Sequence, residues 1–517
     1  MTSCRLLRSV HGSLMRVARR DTARIKCTVS ISLKRTTERL VFFVIGAAVL
    51  GACSSSHPTT IAVTHVTVID ATGAAPQPES AVVVSDGRIS AVGPTGRIAI
   101  PPDAKVVNGS GKFLIPGLAD MHIHLTGAGE PTGSREFIIP LLVANGITTV
   151  RDMGGKVEYL MQLRHEIDKG ERMGPQIFFT GPYLDGNPPS FQPSIVVQTA
   201  AEGLAAVNNL QSEGVDLIKV QSRLQPEAYY AIAREAQKQG IRFVGHVPDA
   251  ISPAAASDAG QASIEHLTGV LLSCSTREEE LRRRELTPLP AGESEQQALA
   301  RNRAWIRDLL DSYSQEKAEG LIRKFAANQT WQVPTFPTLV HMGFVTPETD
   351  LGNDPRMKYV PPNVRQIWEQ GRKAQLEHRS AQDFAQRAEI VRKSIEIVGR
   401  MNAAGVPIMA GTDAAAPNVF PGSSLYEDLN FLAEAGLTPL QALQAATAKP
   451  AEFLGHGAQQ GTIEVGKRAD LVLLDANPLE DIHNTQRIRA VIVNGRLLER
   501  SKLDSLLAGV EKFASAH

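Results

Sequence analysis

The run Ile115-Pro116-Gly117-Leu118-Ala119-Asp120-Met121-His122-Ile123-His124-Leu125 carries more structural information than any other in the chain. A Pro-Gly break ends one apolar segment, and a short strand-like segment with two histidines comes next. Side chains at i and i+2 of a strand point to the same face. His122 and His124 therefore present their imidazoles side by side, and imidazole is the commonest protein ligand for a transition metal. A His-x-His pair alone means little, so its weight depends on finding further ligand-type residues at suitable distances along the chain.

The segments after this run alternate strand-like and helical patterns, as parallel βα units do. Eight strands are expected: Gly117–His124, Ile147–Asp152, Gln176–Thr180, Leu217–Gln221, Arg242–His246, Ser263–His266, Gln332–Thr335 and Pro407–Asp413. Eight is the number for a (β/α)8 TIM barrel, with residues 115–458 as its span. Between the sixth and seventh strands, residues 275–328 are highly charged. They carry Trp305, Ile306, Leu309 and Leu310 at helical spacing, so a helical insertion is expected there, serving as decoration or as a wall over the pocket.

The flanks differ. Residues 60–114 and 459–505 read as short strands with hairpin turns at Asp86-Gly87 and Asn494-Gly495. Two β-rich flanks around a long α/β middle predict one small β-sandwich built from both chain ends.

At 517 residues, with 43% hydrophobic and 21% charged side chains, the chain has the composition of a globular enzyme. Its zero net charge hides an asymmetry. Residues 1–52 hold ten Lys/Arg against two Asp/Glu, which leaves 44 basic against 52 acidic residues elsewhere. A nucleic-acid partner would need a basic face on the folded part, so none is expected. Residues 40–52 form an apolar run of thirteen, short for a membrane span and right for a secretory signal. Leu50-Gly51-Ala52-Cys53 resembles a bacterial lipoprotein box. Residues 1–53 are thus expected to be a signal peptide with lipidation at Cys53, giving an exported protein held at the bacterial membrane, periplasmic or on the cell surface, through its lipid alone. Only Cys274 would then remain as a free thiol, and no disulfide is expected.

The chemistry lies in the spacings. Lys219 comes 95 residues after His124, His246 another 27 on, His266 another 20, and Asp413 another 147. These are whole numbers of βα units, allowing for the insertion. His122, His124, Lys219, His246, His266 and Asp413 therefore sit at strand C-terminal ends, which open onto one face of such a barrel. Lys219 stands out, because a lysine in a barrel core is costly unless it has a task. Tyr183, Arg223 and His341, just past the third, fourth and seventh strands, are candidates for substrate binding. Arg223 suits a carboxylate clamp. His65, His165, His378, His456 and Glu265 fall outside the set.

Taken together, the chain resembles the amidohydrolase superfamily, most closely its imidazolonepropionase-like and prolidase-like branch. The resemblance rests on Pro116–His124, Gly146–Gly155, Ile218-Lys219, Gly245-His246, Ile264-Glu265-His266, Gly411-Thr412-Asp413 and Val465–Leu471, and spans about residues 60–500. It implies two divalent metal ions, zinc being the expected element. His122, His124 and Asp413 would bind the more buried ion and His246 and His266 the more exposed one. Lys219, carrying a CO2-derived carbamate, would bridge them, and Asp413 would be the catalytic acid–base. The implied activity is hydrolysis of an amide bond in a dipeptide or N-acyl amino acid. Alternatives are a mononuclear deaminase or cyclic amidohydrolase, a lactone or phosphotriester hydrolase, and a lipoprotein that only binds its ligand. Asp249, three residues after His246, departs from the His-x-x-Glu of the family's deaminases. A homo-oligomer is compatible with this reading.

Overall fold

The computed structural model describes residues 60–126, 134–288, 292–349 and 351–516. The leader, its apolar run and Cys53 lie outside them. Among the described residues no helix is long and apolar enough to cross a membrane. The chain is α/β. Its N-terminal strands are β1 (Ile61–Val68), β2 (Gln77–Ser85), β3 (Arg88–Pro94), β4 (Lys105–Asn108) and β5 (Phe113–Pro116). The middle holds β6 (Leu118–Ile123), β7 (Ile147–Asp152), β8 (Gln176–Phe179), β9 (Tyr183–Asp185), β10 (Ser194–Val196), β11 (Ile218–Val220), β12 (Phe243–Gly245), β13 (Ser263–Glu265) and β14 (Trp331–Val333). The C-terminal strands are β15 (Leu471–Leu474), β16 (Ile488–Val493) and β17 (Arg496–Glu499).

Both chain ends contribute strands to the same small β unit. There is one sheet, in the order β17-β16-β15-β5-β1-β2-β3, with β4 added beside β1. Its joint is antiparallel pairing of β5 with β15, which sets Ile115 opposite Val472. The sheet folds over so that its two hairpin turns meet. Both turns have positive φ at each central residue, the twist that two-residue hairpins favour. A Cβ on Gly495 would stand 2.5 Å from the Gly87 Cα, so only glycine allows this approach. Ile89 N–H donates to the Lys467 carbonyl and Ala469 N–H to that of Gly87, both at 2.9 Å. Val63, Val82, Leu114, Leu471 and Ile492 fill the inside of the fold. After Glu499 the chain is no longer strand: Arg500–Ala516 is a helix that buries Leu503, Val510 and Ala514.

The middle strands are parallel. β6, β7 and β8 form one sheet, and β10-β9-β11-β12-β13-β14 another. Asp216 N–H donates to the Phe179 carbonyl at 3.0 Å, linking the chain before β11 to β8. The expected eighth strand, Pro407–Asp413, makes single parallel bridges instead of a ladder, Gln332 with Ile408 and Ile123 with Ala414. Backbone bonds nevertheless join it to both neighbours, Met409 N–H donating to the Gln332 carbonyl and Met121 N–H to that of Ala410, both at 3.0 Å. Asp413 N–H donates to the His122 carbonyl at 2.6 Å, and Thr412 N–H and hydroxyl bind the Asp120 carboxylate at 3.0 and 2.6 Å. Leu217 and Val244, two residues before Lys219 and His246, pack with Met121, Val333 and Met409 into a separate apolar cluster capped by Phe453.

Among the described residues the insertion holds helices Glu278–Leu286, Glu295–Asp311 and Gln315–Asn328, which bury Trp305, Ile306 and Leu309 and leave Leu310 partly buried. A second helical pair, Pro362–Leu376 and Ala381–Ala403, precedes the eighth segment. Arg303 Nε and Nη2 clamp the two Asp383 oxygens at 2.7 and 2.9 Å, tying insertion to pair.

Candidate metal centre

All six side chains expected to act as ligands converge. Asp413 Oδ1 lies 3.0 Å from His124 Nε2 and 3.5 Å from His122 Nε2. One ligand atom from each of these three residues falls within 4.8 Å of the others, a spacing that suits one cation held by two nitrogens and a carboxylate oxygen. Lys219, 1% exposed, places Nζ 3.5 Å from His122 Nε2. The His266 ring lies 4.4 Å from that of His122 and 4.8 Å from that of His246.

Each imidazole is held by its outer nitrogen. His122 Nδ1 is 2.8 Å from Glu265 Oε2, and His246 Nδ1 is 3.0 Å from the Ser222 hydroxyl. His266 Nδ1 is 2.5 Å from the Thr335 hydroxyl, and His124 Nδ1 is 3.3 Å from the Tyr183 hydroxyl. Tying Nδ1 in this way fixes ring orientation and leaves Nε2 for a metal, as in established histidine–metal sites. Local backbone does the rest. Glu265 shares the inward face with Ser263, two residues before it, and Ser263 Oγ donates to it at 2.5 Å. Alternation would send His266 the other way, but His266 and Leu267 adopt left-handed φ of 57° and 51°, which turns the ring back toward His122. Two consecutive non-glycine residues in that region carry a steric cost. Asp413 is also left-handed, at φ 66°.

The electrostatics agree with a cation site. Burial, then the charge of Lys219, lowers the His122 and His246 pKa values well below the ordinary histidine value. Burial pushes His266 down to about 3. Neutral imidazole is the form that ligates. Burial alone would raise Asp413, but the facing rings of His266 and His124 draw it below the usual carboxylate value. Burial likewise opposes protonation of His124, and its hydrogen bond to Asp413 overrides this and raises it. Neutral His122, His246 and His266 gathered near a carboxylate, with their outer nitrogens already occupied, are a donor set fitted to divalent metal.

A family model for the amidohydrolase family matches residues 113–498. The chain belongs to the amidohydrolase family. Imidazolonepropionase from Geobacillus sp. (strain WCH70) is 25% identical over 439 residues, 81% of this chain and 90% of that protein. Ochratoxinase from Aspergillus niger is 42% identical over 90 residues, 17% of this chain and 18% of that protein. The chain thus spans under a fifth of the length of the ochratoxinase it matches. A crystal structure of a Xaa-Pro dipeptidase with bound methionine superposes with a TM-score of 0.60 at 20% identity, covering 85% of this chain and all of that one. This last likeness is one of fold.

Of the three substrate-binding candidates in this amidohydrolase, Tyr183 lies against the centre, its ring 5.9 Å from Lys219 Nζ. Arg223 sits one step out. Its Nη1 donates to the Pro188 carbonyl at 2.5 Å and its backbone N–H to Asp185 at 2.8 Å. His341 is farther out, with Nε2 3.0 Å from Glu427, which also pairs with Arg356. Glu265, outside the ligand set expected from the sequence, proves to be the partner of His122. It also accepts both contacts of Arg151 Nη2 at 3.0 Å, and Arg151 is itself fully buried. Alternation from Ser263 along the strand is the signal that could have found it. Asp120, pushed up to about 7 by burial, anchors the Thr412 turn, and Asp428 accepts the N–H groups of Gly411 and Phe336.

Proposed function

We propose that this amidohydrolase cleaves the amide bond of a dipeptide or N-acyl amino acid at a centre of two divalent ions, zinc being the expected element. The observation that carries the proposal is that four imidazoles, each held at Nδ1, surround a buried lysine and an ionised aspartate. His122, His124 and Asp413 would hold one ion and His246 and His266 the other. Once deprotonated, the Lys219 amine would add CO2, forming an N–C bond and releasing a proton, and the resulting carbamate would serve both ions. When bound, the ions supply Lewis acidity, which lowers the pKa of water and polarises the substrate carbonyl. Asp413 takes a proton at its carboxylate and returns it to the departing amine. Tyr183 closes one side of the pocket, Arg223 pairs with the substrate α-carboxylate, and His341 lines the outer rim.

The bonds linking both parallel sheets and the eighth segment support reading the middle as a closed (β/α)8 barrel with the centre at its C-terminal mouth. The basic leader, the apolar run and Cys53 support export and attachment to a bacterial membrane through lipid alone. A homo-oligomer is compatible with all of this.

The test is metal content. Protein prepared with zinc and bicarbonate should hold close to two ions per chain. Lys219→Ala should lose most of one ion and of the activity against a dipeptide and N-acyl amino-acid panel. Full metal content and activity in that variant would overturn the two-ion reading.

A further inference from the structure

His266 belongs to two places at once. One side of its ring faces His122 and His246, and it also lines a recess of about 30 Å3. Trp305 and Leu309 reach this recess from the insertion, Leu339 from the segment after β14, and Ile390 and Ser394 from helix Ala381–Ala403. Its polar groups are already engaged. The Trp305 indole N–H donates to the Leu281 carbonyl at 3.2 Å, the Ser394 hydroxyl donates to the Ile390 carbonyl at 2.8 Å, and His266 Nδ1 is on Thr335. The side chains lining the recess are thus mostly hydrocarbon, and the polar side-chain groups among them already have partners. An apolar hollow with one polar end is how a site binds a small apolar group attached to a reacting polar one.

We propose that this recess takes the alkyl part of the acyl group of the substrate, and that the helical insertion, through Trp305 and Leu309, sets how long that group can be. The inference rests on reading the centre as an amide hydrolase. Arg223, on the fourth-strand side, would take the carboxylate end, which leaves the His266 side for the acyl end. Space for about one or two water-sized groups admits short unbranched chains and excludes long or branched ones. The insertion is thus a specificity wall and not decoration.

Straight-chain alkanoates, the acyl products of such a reaction, are the probe. They are titrated from acetate to octanoate into zinc-loaded full-length protein, with tryptophan fluorescence as readout. Affinity should rise about fourfold per methylene for the first one or two carbons, from the usual transfer free energy, and then level off. Leu309→Ala should move the plateau to longer chains, and Ser394→Leu should flatten the series while acetate binding persists. A flat series in wild type, or a plateau unmoved in both folded variants, overturns the assignment. If either variant fails to fold, the wild-type series still decides. Chain-length dependence without cleavage of any amide would overturn the hydrolytic reading and leave the recess standing.

Discussion

Glu265 Oε2 lies 2.8 Å from His122 Nδ1 with both side chains shut off from solvent, and the same carboxylate neutralises the buried Arg151 guanidinium. One side chain thus orients a metal ligand and balances a core charge. Glu265→Gln keeps an acceptor for His122 but removes the charge. Metal affinity should fall about 10- to 100-fold, the usual effect of losing such a partner. Stability should fall by about 3–5 kcal/mol, because Arg151 is left uncompensated. Chelator competition and thermal unfolding measure the two separately. Unchanged metal affinity would show that Glu265 serves only the core.

Gly245 stands directly before His246 with φ of 127°. A Cβ there would meet the Val220 carbonyl oxygen at 2.3 Å and the Lys219 Cδ at 2.9 Å. Gly245→Ala must part β11 from β12 and so shift two proposed ligands at once. We expect a stability loss of about 1–3 kcal/mol, typical of overpacking, with loss of bound zinc by elemental analysis. A stable variant with full zinc would contradict the close approach.

The parts of the molecule that repeat a simple period could be read in the sequence. Strand ends carrying His122, Lys219, His246 and His266 were legible because they recur at spacings of whole βα units. The insertion was legible because Trp305 and Leu309 recur at helical spacing. What escaped depends on contacts between distant segments. Nothing local tells that β5 pairs with β15, the joint between the two chain ends. β9 and β10 are too short to show a period. His266 reaches the centre through a left-handed turn that the strand pattern does not contain, and Glu265 was passed over because its partner His122 lies 143 residues away.

Arg223 separates two roles. If its guanidinium pairs with the substrate carboxylate, Arg223→Ala should lower kcat/KM on free-carboxylate substrates about ten- to a hundredfold, the worth of a charge-assisted contact. Substrates masked as esters should hardly respond. An equal loss on both would assign Arg223 to holding the loop of Pro188, to which it is bonded.

Asp383 gives a pH dependence away from the metal centre. Burial would raise its carboxyl, but Arg303 and Ser380 hold it down to about 2, against about 3.9 unfolded. The unfolded chain therefore binds the proton more readily between those values. The stabilisation is complete above about pH 4 and is lost as pH falls through about 2. Its size is about 1–2 kcal/mol once solvent screening at Arg303 is allowed for. Asp383→Asn should melt lower than wild type at pH 7, and the gap should close as the pH falls from 4 toward 2. A gap that does not change with pH would remove the ion pair from the account.

The pairing of Ile115 with Val472 makes the protein a check on its own completeness. β5 runs almost directly into the strand bearing His122 and His124, and one of its edges is covered only by β15. A chain cut short before Leu471 would leave that edge bare beside the centre, a template for mispairing. Contacts so distant in sequence also form late. The ligand strand is therefore secured only after nearly the whole polypeptide has emerged, and a truncated copy should fail to become a metal-loaded enzyme instead of becoming a weaker one.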